Sequence, residues 1–156
     1  MRVCRFSLVA SLTLAAVTAT SQSAAAQGGN KQVFNPPNAR PGGVLSSAVR
    51  VGDLVFLSGA LGTKPGGGGL ADGGIEGQTR QALENIKASA TLAGVTMEDM
   101  VKCTVFLTDV ADFQAMNQVY REFFPANPPA RSTVAVAGLV VQGAVIEIEC
   151  IAAAKK

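Results

Sequence analysis

Two kinds of side chain here have the chemistry to grip a small anion and to move protons. Arg131 leaves the turn Pro128-Pro129-Ala130 and enters a strand-like run, and the carboxylates Glu147 and Glu149 alternate along a later one. A guanidinium carries a permanent charge and a planar fork of donors that matches a carboxylate. One fixed at a rigid loop-to-strand junction therefore suits recognition of a small anion. The same group is equally suited to clamping carbonyls or a neighbouring glutamate, and both roles are open at this level. Glu147 and Glu149 lie two positions apart, so a strand turns both to one side and Ile146, Ile148 and Cys150 to the other. Such a pair offers acid-base chemistry, but alternating charge is also ordinary protection for the solvated face of an edge strand.

The chain contains no histidine. That removes Ser-His and Cys-His nucleophilic machinery, imidazole acid-base catalysis and the usual zinc sites, leaving carboxylates, arginine, tyrosine, lysine and backbone groups. The run Gly66 to Gly69 lacks the lysine and hydroxyl residue of a phosphate-binding P-loop and reads as a flexible turn. No metal or cofactor site is expected.

Residues 1–26 read as a secretory signal peptide: Arg2 and Arg5 at the start, an apolar run from Phe6 to Val17, and the small residues Ala24-Ala25-Ala26 before Gln27. The apolar run is shorter than the roughly 20 residues needed to span a bilayer, so a periplasmic or secreted protein with no membrane association after cleavage is expected. The remaining 130 of 156 residues suffice for one domain with a real core. The whole chain carries 13 basic and 11 acidic residues, and loss of Arg2 and Arg5 leaves 11 against 11. A neutral surface argues against nucleic acid as a partner. Cys103 and Cys150 both sit in strand-like segments, where free core thiols are favoured over a disulfide whose geometry the sequence does not specify.

These residues must be positioned by a small set of elements. Residues 27–40 are polar and proline-interrupted and read as a flexible arm, with the domain spanning 41–156. Val44 to Val51 and Leu54 to Ser58 flank Gly52-Asp53 as an antiparallel hairpin. From Gly77 a helical period places Leu83, Ile86, Ala90 and Ala93 on one face, with Gly94 as its stop. Val101 to Leu107 is a strand. Phe113, Met116, Tyr120 and Phe123 mark a second helix ending at Pro125. Thr133 to Val136 and Val145 to Ile151 complete a ββαβαββ order, which predicts an α+β or α/β layer with both helices on one face of a single sheet.

Pro129-Ala130-Arg131-Ser132 followed by Ile146-Glu147-Ile148-Glu149 resembles the signature of the reactive intermediate deaminase (Rid/YjgF) family. The likeness extends from Pro41 to Ala153. It includes Ala48 to Phe56, Ser58-Gly59, Gln78 to Asn85, and Val105-Phe106-Leu107 through Asp112-Phe113, Asn117 and Tyr120. The resemblance implies an α+β chorismate-mutase-like fold, a homotrimer, and clefts between subunits that bind small imino or keto acids without a cofactor. It assigns Arg131 to the substrate carboxylate, Glu147 to the water that hydrolyses a C=N bond, backbone groups of Gly59 and Thr133 to ligand binding, and Asn117 to lining or supporting the site.

Two positions depart from that pattern. Leu45 stands where many deaminating members have a tyrosine, and Thr133 where a cysteine is common. The expected activity is that of a 2-iminobutanoate/2-iminopropanoate deaminase-like hydrolase. The alternatives are a non-catalytic binder of small carboxylates, which loss of the tyrosine favours, and a stress-related interaction protein. Neutral charge and export disfavour ribonuclease activity.

Overall fold

A computed structural model describes residues 31–39 and 41–155; the expected leader lies outside the described residues. The strands are β1 (Gln32–Phe34), β2 (Ala48–Val51), β3 (Leu54–Leu61), β4 (Met100–Leu107), β5 (Ala130–Ala135) and β6 (Ile146–Ala153), with helices α1 (Gly74–Leu92) and α2 (Phe113–Phe123). All six strands form one sheet in the order β1-β2-β3-β6-β4-β5, so the C-terminal strand is inserted between β3 and β4. Among the described strands only β4 and β5 run parallel, and α2 is the crossover between them.

The expected ββαβαββ order is present, with one strand ahead of it. Part of the segment read as a flexible arm is ordered, because Gln32–Phe34 pairs antiparallel with β2. Three residues are too short for a periodicity signal. The β2–β3 hairpin turns at Gly52-Asp53, where Gly52 takes a left-handed φ of 59°. α1 begins at Gly74, earlier than the apolar period suggests, and the chain leaves it through Gly94 at φ 75°.

Val55 and Leu57 of β3, Cys103, Val105 and Leu107 of β4, and Ile146, Ile148 and Cys150 of β6 are buried on one face. α1 covers them with Ala82, Leu83, Ile86 and Ala90, and α2 with Met116 and Tyr120. Among the described residues, no helix covers the opposite face. Leu54 and Phe56 of β3 are each 43% exposed there and Val134 of β5 is 44% exposed, beside Glu147 and Glu149 of β6. This arrangement corrects the edge-strand reading of the two glutamates: β6 lies between two strands, and its carboxylates stand among exposed apolar side chains.

The cysteines are also corrected. Cys103 and Cys150 are direct cross-strand partners on β4 and β6, their Cα atoms 4.1 Å apart, and they form a disulfide. Their 47-residue separation concealed an adjacency that strand insertion creates. Closing a loop of that length removes freedom from the unfolded chain. Peptide mapping without reductant should recover the two cysteines as one linked fragment. Reduction, or Cys103→Ala with Cys150→Ala, should lower the urea-measured unfolding free energy by about 2–4 kcal/mol.

Candidate active site

Arg131 is the second residue of edge strand β5. Asn127, at φ 48°, tolerates the left-handed conformation, and Pro128 and the buried Pro129 then fix the entry angle. Arg131 is in register with Cys103, so it shares the helix-covered face, but it lies at the margin of the sheet where α2 forms a wall. Its Nη2 donates to Asn117 Oδ1 at 2.7 Å, and its Nη1 approaches Met116 Sδ at 3.9 Å. The guanidinium carbon lies 4.6 Å from the Tyr120 ring centroid and 5.8 Å from that of Phe113. A charge-assisted hydrogen bond (about 1.5–3 kcal/mol) with cation–π contact (about 0.5–2 kcal/mol) outweighs the roughly 2 kcal/mol of rotamer entropy that an arginine loses. The group is therefore held ready in place.

All of these partners are neutral. No carboxylate pairs with Arg131 among the described residues. Beside it lies a cavity of about 410 Å³ lined by Asn117, Tyr120, Phe124 and the Pro128-Pro129 turn. A larger cleft, about 780 Å³, opens elsewhere against α1. There Arg80 is neutralised by two bonds to Glu122 at 2.7 and 2.8 Å, and Lys87 lies 3.6 Å from Glu84. Its cations are already matched, so the smaller cavity is the better candidate for an anion.

Thr133 lies two residues further along β5 on the same face as Arg131, and its buried hydroxyl has no hydrogen-bond partner. Because β5 is an edge strand, half of its backbone donors and acceptors point away from β4 and are open to a ligand. Tyr120 is only 5% exposed and its buried hydroxyl likewise lacks a partner. Burial pushes its pKa up to about 12 against the opposing pull of Arg131, which keeps the phenol neutral at physiological pH.

Glu147 and Gly59 meet on the opposite face. β3 bulges at Ser58-Gly59, two residues facing Glu149 alone. The bulge brings the Gly59 backbone against Glu147, so that a β-carbon on Gly59 would overlap Glu147 Oε1. Ser46 and Ser47 hold the bulge from the side: Ser58 Oγ donates to Ser46 O at 2.6 Å and Ser58 N to Ser47 O at 3.1 Å. Within one chain the structure thus brings together Arg131, Asn117 and Thr133, and separately Glu147 and Gly59. The sheet lies between the two groups.

The sequence did not disclose how the loops are pinned. Buried Gln78 of α1 donates through Nε2 to Gly143 O at 3.1 Å and accepts from Val145 N at 3.0 Å, fixing the approach to β6 and Glu147. Asn85 donates to Leu61 O and Thr63 O, each at 2.9 Å, and holds the exit of β3. A polar residue on the apolar face of α1 was the available signal. Phe113 and Tyr120 mark the helical period of α2 in the sequence, but that spacing does not disclose that their rings also face the Arg131 guanidinium.

The model of the family described as Endoribonuclease L-PSP matches residues 37–154. A RutC family protein of Pyrococcus horikoshii is 43% identical over 123 residues, covering 78% of this chain and 97% of that protein. The chain belongs to the Rid/YjgF family. Among Rid relatives, the human protein named 2-iminobutanoate/2-iminopropanoate deaminase is 39% identical over 110 residues, covering 70% of this chain and 80% of its own. The crystal structure of the YjgF gene product from E. coli superposes with a TM-score of 0.71 at 36% identity, covering 80% of this chain and 99% of that one. The single mixed sheet with two helices is the α+β fold of these Rid/YjgF neighbours.

Tyr120 is the only tyrosine and the chain lacks tryptophan, so absorbance at 295 nm reports this one phenol. Its titration should centre near pH 12 rather than the ordinary value of 10. Because the folded pKa is raised, the contribution to stability is fully present below pH 10 and is lost as pH rises toward 12. Gly59→Ala should displace the Glu147 carboxylate and lower any activity that depends on it, by about tenfold or more, while circular dichroism stays unchanged.

Proposed function

We propose that the protein hydrolyses reactive 2-imino acids, and the enamines that tautomerise to them, to 2-keto acids and ammonia. The observation that carries this reading is Arg131: a guanidinium held by neutral groups, without an anion of its own, beside a small cavity. It fits the carboxylate of an imino acid. The names of relatives at about 40% identity support the same chemistry, including Reactive Intermediate Deaminase A of Arabidopsis thaliana.

In this mechanism Arg131 grips the carboxylate through its free donors while Asn117 and Tyr120 keep it oriented. Backbone groups of Thr133 and Gly59 hold the ligand. Glu147 takes a proton from water as the oxygen attacks the imine carbon, giving a carbinolamine. Starting from the protonated imine, Glu147 returns that proton to the nitrogen and takes the hydroxyl proton as the C–N bond breaks, so ammonia leaves and a C=O group remains. Imine carbons are electrophilic, so orientation and one proton relay supply most of what the step needs.

Arg131 and Glu147 face opposite sides of their own sheet, so a site that uses both needs a second copy of the chain. The apolar helix-free face, with Leu54, Phe56 and Val134, supports such an assembly, and we take it to be a homotrimer with sites at its subunit clefts. The Cys103–Cys150 disulfide supports the expected export to an oxidising compartment. A non-catalytic carboxylate binder is the second reading. Leu45, 69% exposed on the segment next to Ser46-Ser47, offers no hydroxyl to order water.

Imino acids generated by an amino-acid oxidase provide the test. Arg131→Ala and Glu147→Gln should each abolish accelerated hydrolysis, and Glu147→Gln alone should still bind the 2-keto acid. Mixing the two inactive variants after dissociation should restore about a quarter of wild-type activity, because that share of interfaces pairs an intact Arg131 with an intact Glu147. Ligand binding without turnover in the wild type would favour the binder; no recovery on mixing would refute the shared site.

A further inference from the structure

Three amide side chains of α1, Gln78, Gln81 and Asn85, recur at helical spacing and form a stripe beside its core-facing residues. The stripe reaches the two strand ends that meet at Glu147. Gln78 Oε1 accepts from Val145 N at 3.0 Å, two residues before Glu147, and Gln78 Nε2 donates to Gly143 O at 3.1 Å. Val145 O is engaged as well, accepting from Thr108 N at 3.1 Å. Asn85 Nδ2 donates to Leu61 O and Thr63 O, each at 2.9 Å, and its Oδ1 accepts from Gln81 Nε2 at 3.0 Å. Leu61 is the register partner of Glu147 on β3.

Glu147 therefore stands on the last rung between β3 and β6, where the ladder ends and strand ends fray most readily. Beyond that rung the backbone is held from α1 instead. The helix sits directly on the chain here, since a β-carbon on Gly62 would overlap the Gln78 backbone. Elsewhere α1 meets the sheet through apolar Ala82, Leu83, Ile86 and Ala90, and its amide clamps are kept for this one corner. Arg131 is held from the other helix: Asn117, Met116, Tyr120 and Phe113 all belong to α2. Each helix thus serves one of the two groups that the proposed site joins.

A group that transfers protons works only within hydrogen-bond reach of the proton it moves, and misplacement by about 1 Å costs on the order of 100-fold in rate. We infer that Gln78 and Asn85 are positioning residues for Glu147. They fix the two strand ends that carry it, so α1 governs turnover independently of substrate affinity, which Arg131 supplies from the α2 side. This rests on the reading of Glu147 as the base and assigns what holds that base in place. Gln81 acts one step further out, by orienting the Asn85 amide.

Turnover of imino acids and calorimetric binding of 2-oxobutanoate, measured on the same preparations, provide the test. Gln78→Met and Asn85→Leu should each lower kcat about tenfold or more, while KM, keto-acid affinity and the number of binding sites per chain stay within about twofold of wild type. Gln81→Leu, a half-buried position where only the bond to Asn85 is lost, should lower kcat by about two- to fivefold. A purely structural role would instead reduce the number of sites in step with kcat. That result, or an unchanged kcat at a full count of sites, overturns the inference. Should either larger substitution prevent folding, Gln81→Leu decides by the same criteria. If Glu147→Gln keeps wild-type turnover, the reading of Glu147 as the base fails. If it abolishes turnover while the amide variants keep theirs, only the positioning role fails.

Discussion

A guanidinium half out of water needs compensation, and around Arg131 the protein supplies only part of it. Asn117 accepts one hydrogen bond, Tyr120 and Phe113 present ring faces, and Met116 offers a weak sulfur acceptor. These contacts fix direction without cancelling charge. A glutamate in place of Asn117 would form a stronger pair but would leave nothing for a ligand. Neutral support makes the site both rigid and electrostatically unfinished, which is the condition for strong, oriented anion binding.

The second constraint is the sheet itself. Insertion of β6 between β3 and β4 places Cys150 against Cys103 and Glu147 against Gly59, so one topological step supplies both a covalent tie and half of the candidate site. The same step puts Glu147 on the face away from α2 and Arg131. A single chain is thus complete as a fold, while the proposed site draws its arginine and its glutamate from different copies. The apolar groups on the helix-free face connect the two facts, since the surface that asks to be covered also bears the carboxylate.

Rigidity is distributed to match. Arg131 and Glu147 stand on strands, and α1 reaches over the edge of the core to pin the neighbouring loops with Gln78 and Asn85. Both amides are well satisfied, so they order backbone without leaving unpaired polar groups. The exposed Gly66 to Gly69 turn lies beyond these clamps and is closed at its base by Lys64 N–H donating to Gly69 O at 2.8 Å.

Much of the fold was legible in the sequence because its signals are local. The helical spacing of Leu83, Ile86 and Ala90, the alternation from Ile146 to Cys150 and the hairpin at Gly52-Asp53 each depend on residues a few positions apart. Residue type singled out Arg131 and Glu147 as candidates, and family resemblance added Asn117, Thr133 and Gly59. Strand order was not legible: nothing local marks β6 as central, so its glutamates read as edge protection and its cysteine as a free thiol. The aromatic wall behind Arg131 was hidden for a related reason, since a ring at core spacing looks the same whether it packs on an isoleucine or on a cation. Sequence determined which elements form and which faces they bury, because periodicity is carried by near neighbours. Tertiary structure alone decided that Arg131 and Glu147 stand on opposite sides of one sheet, because faces are shared only through a hydrogen-bonded register spanning the chain.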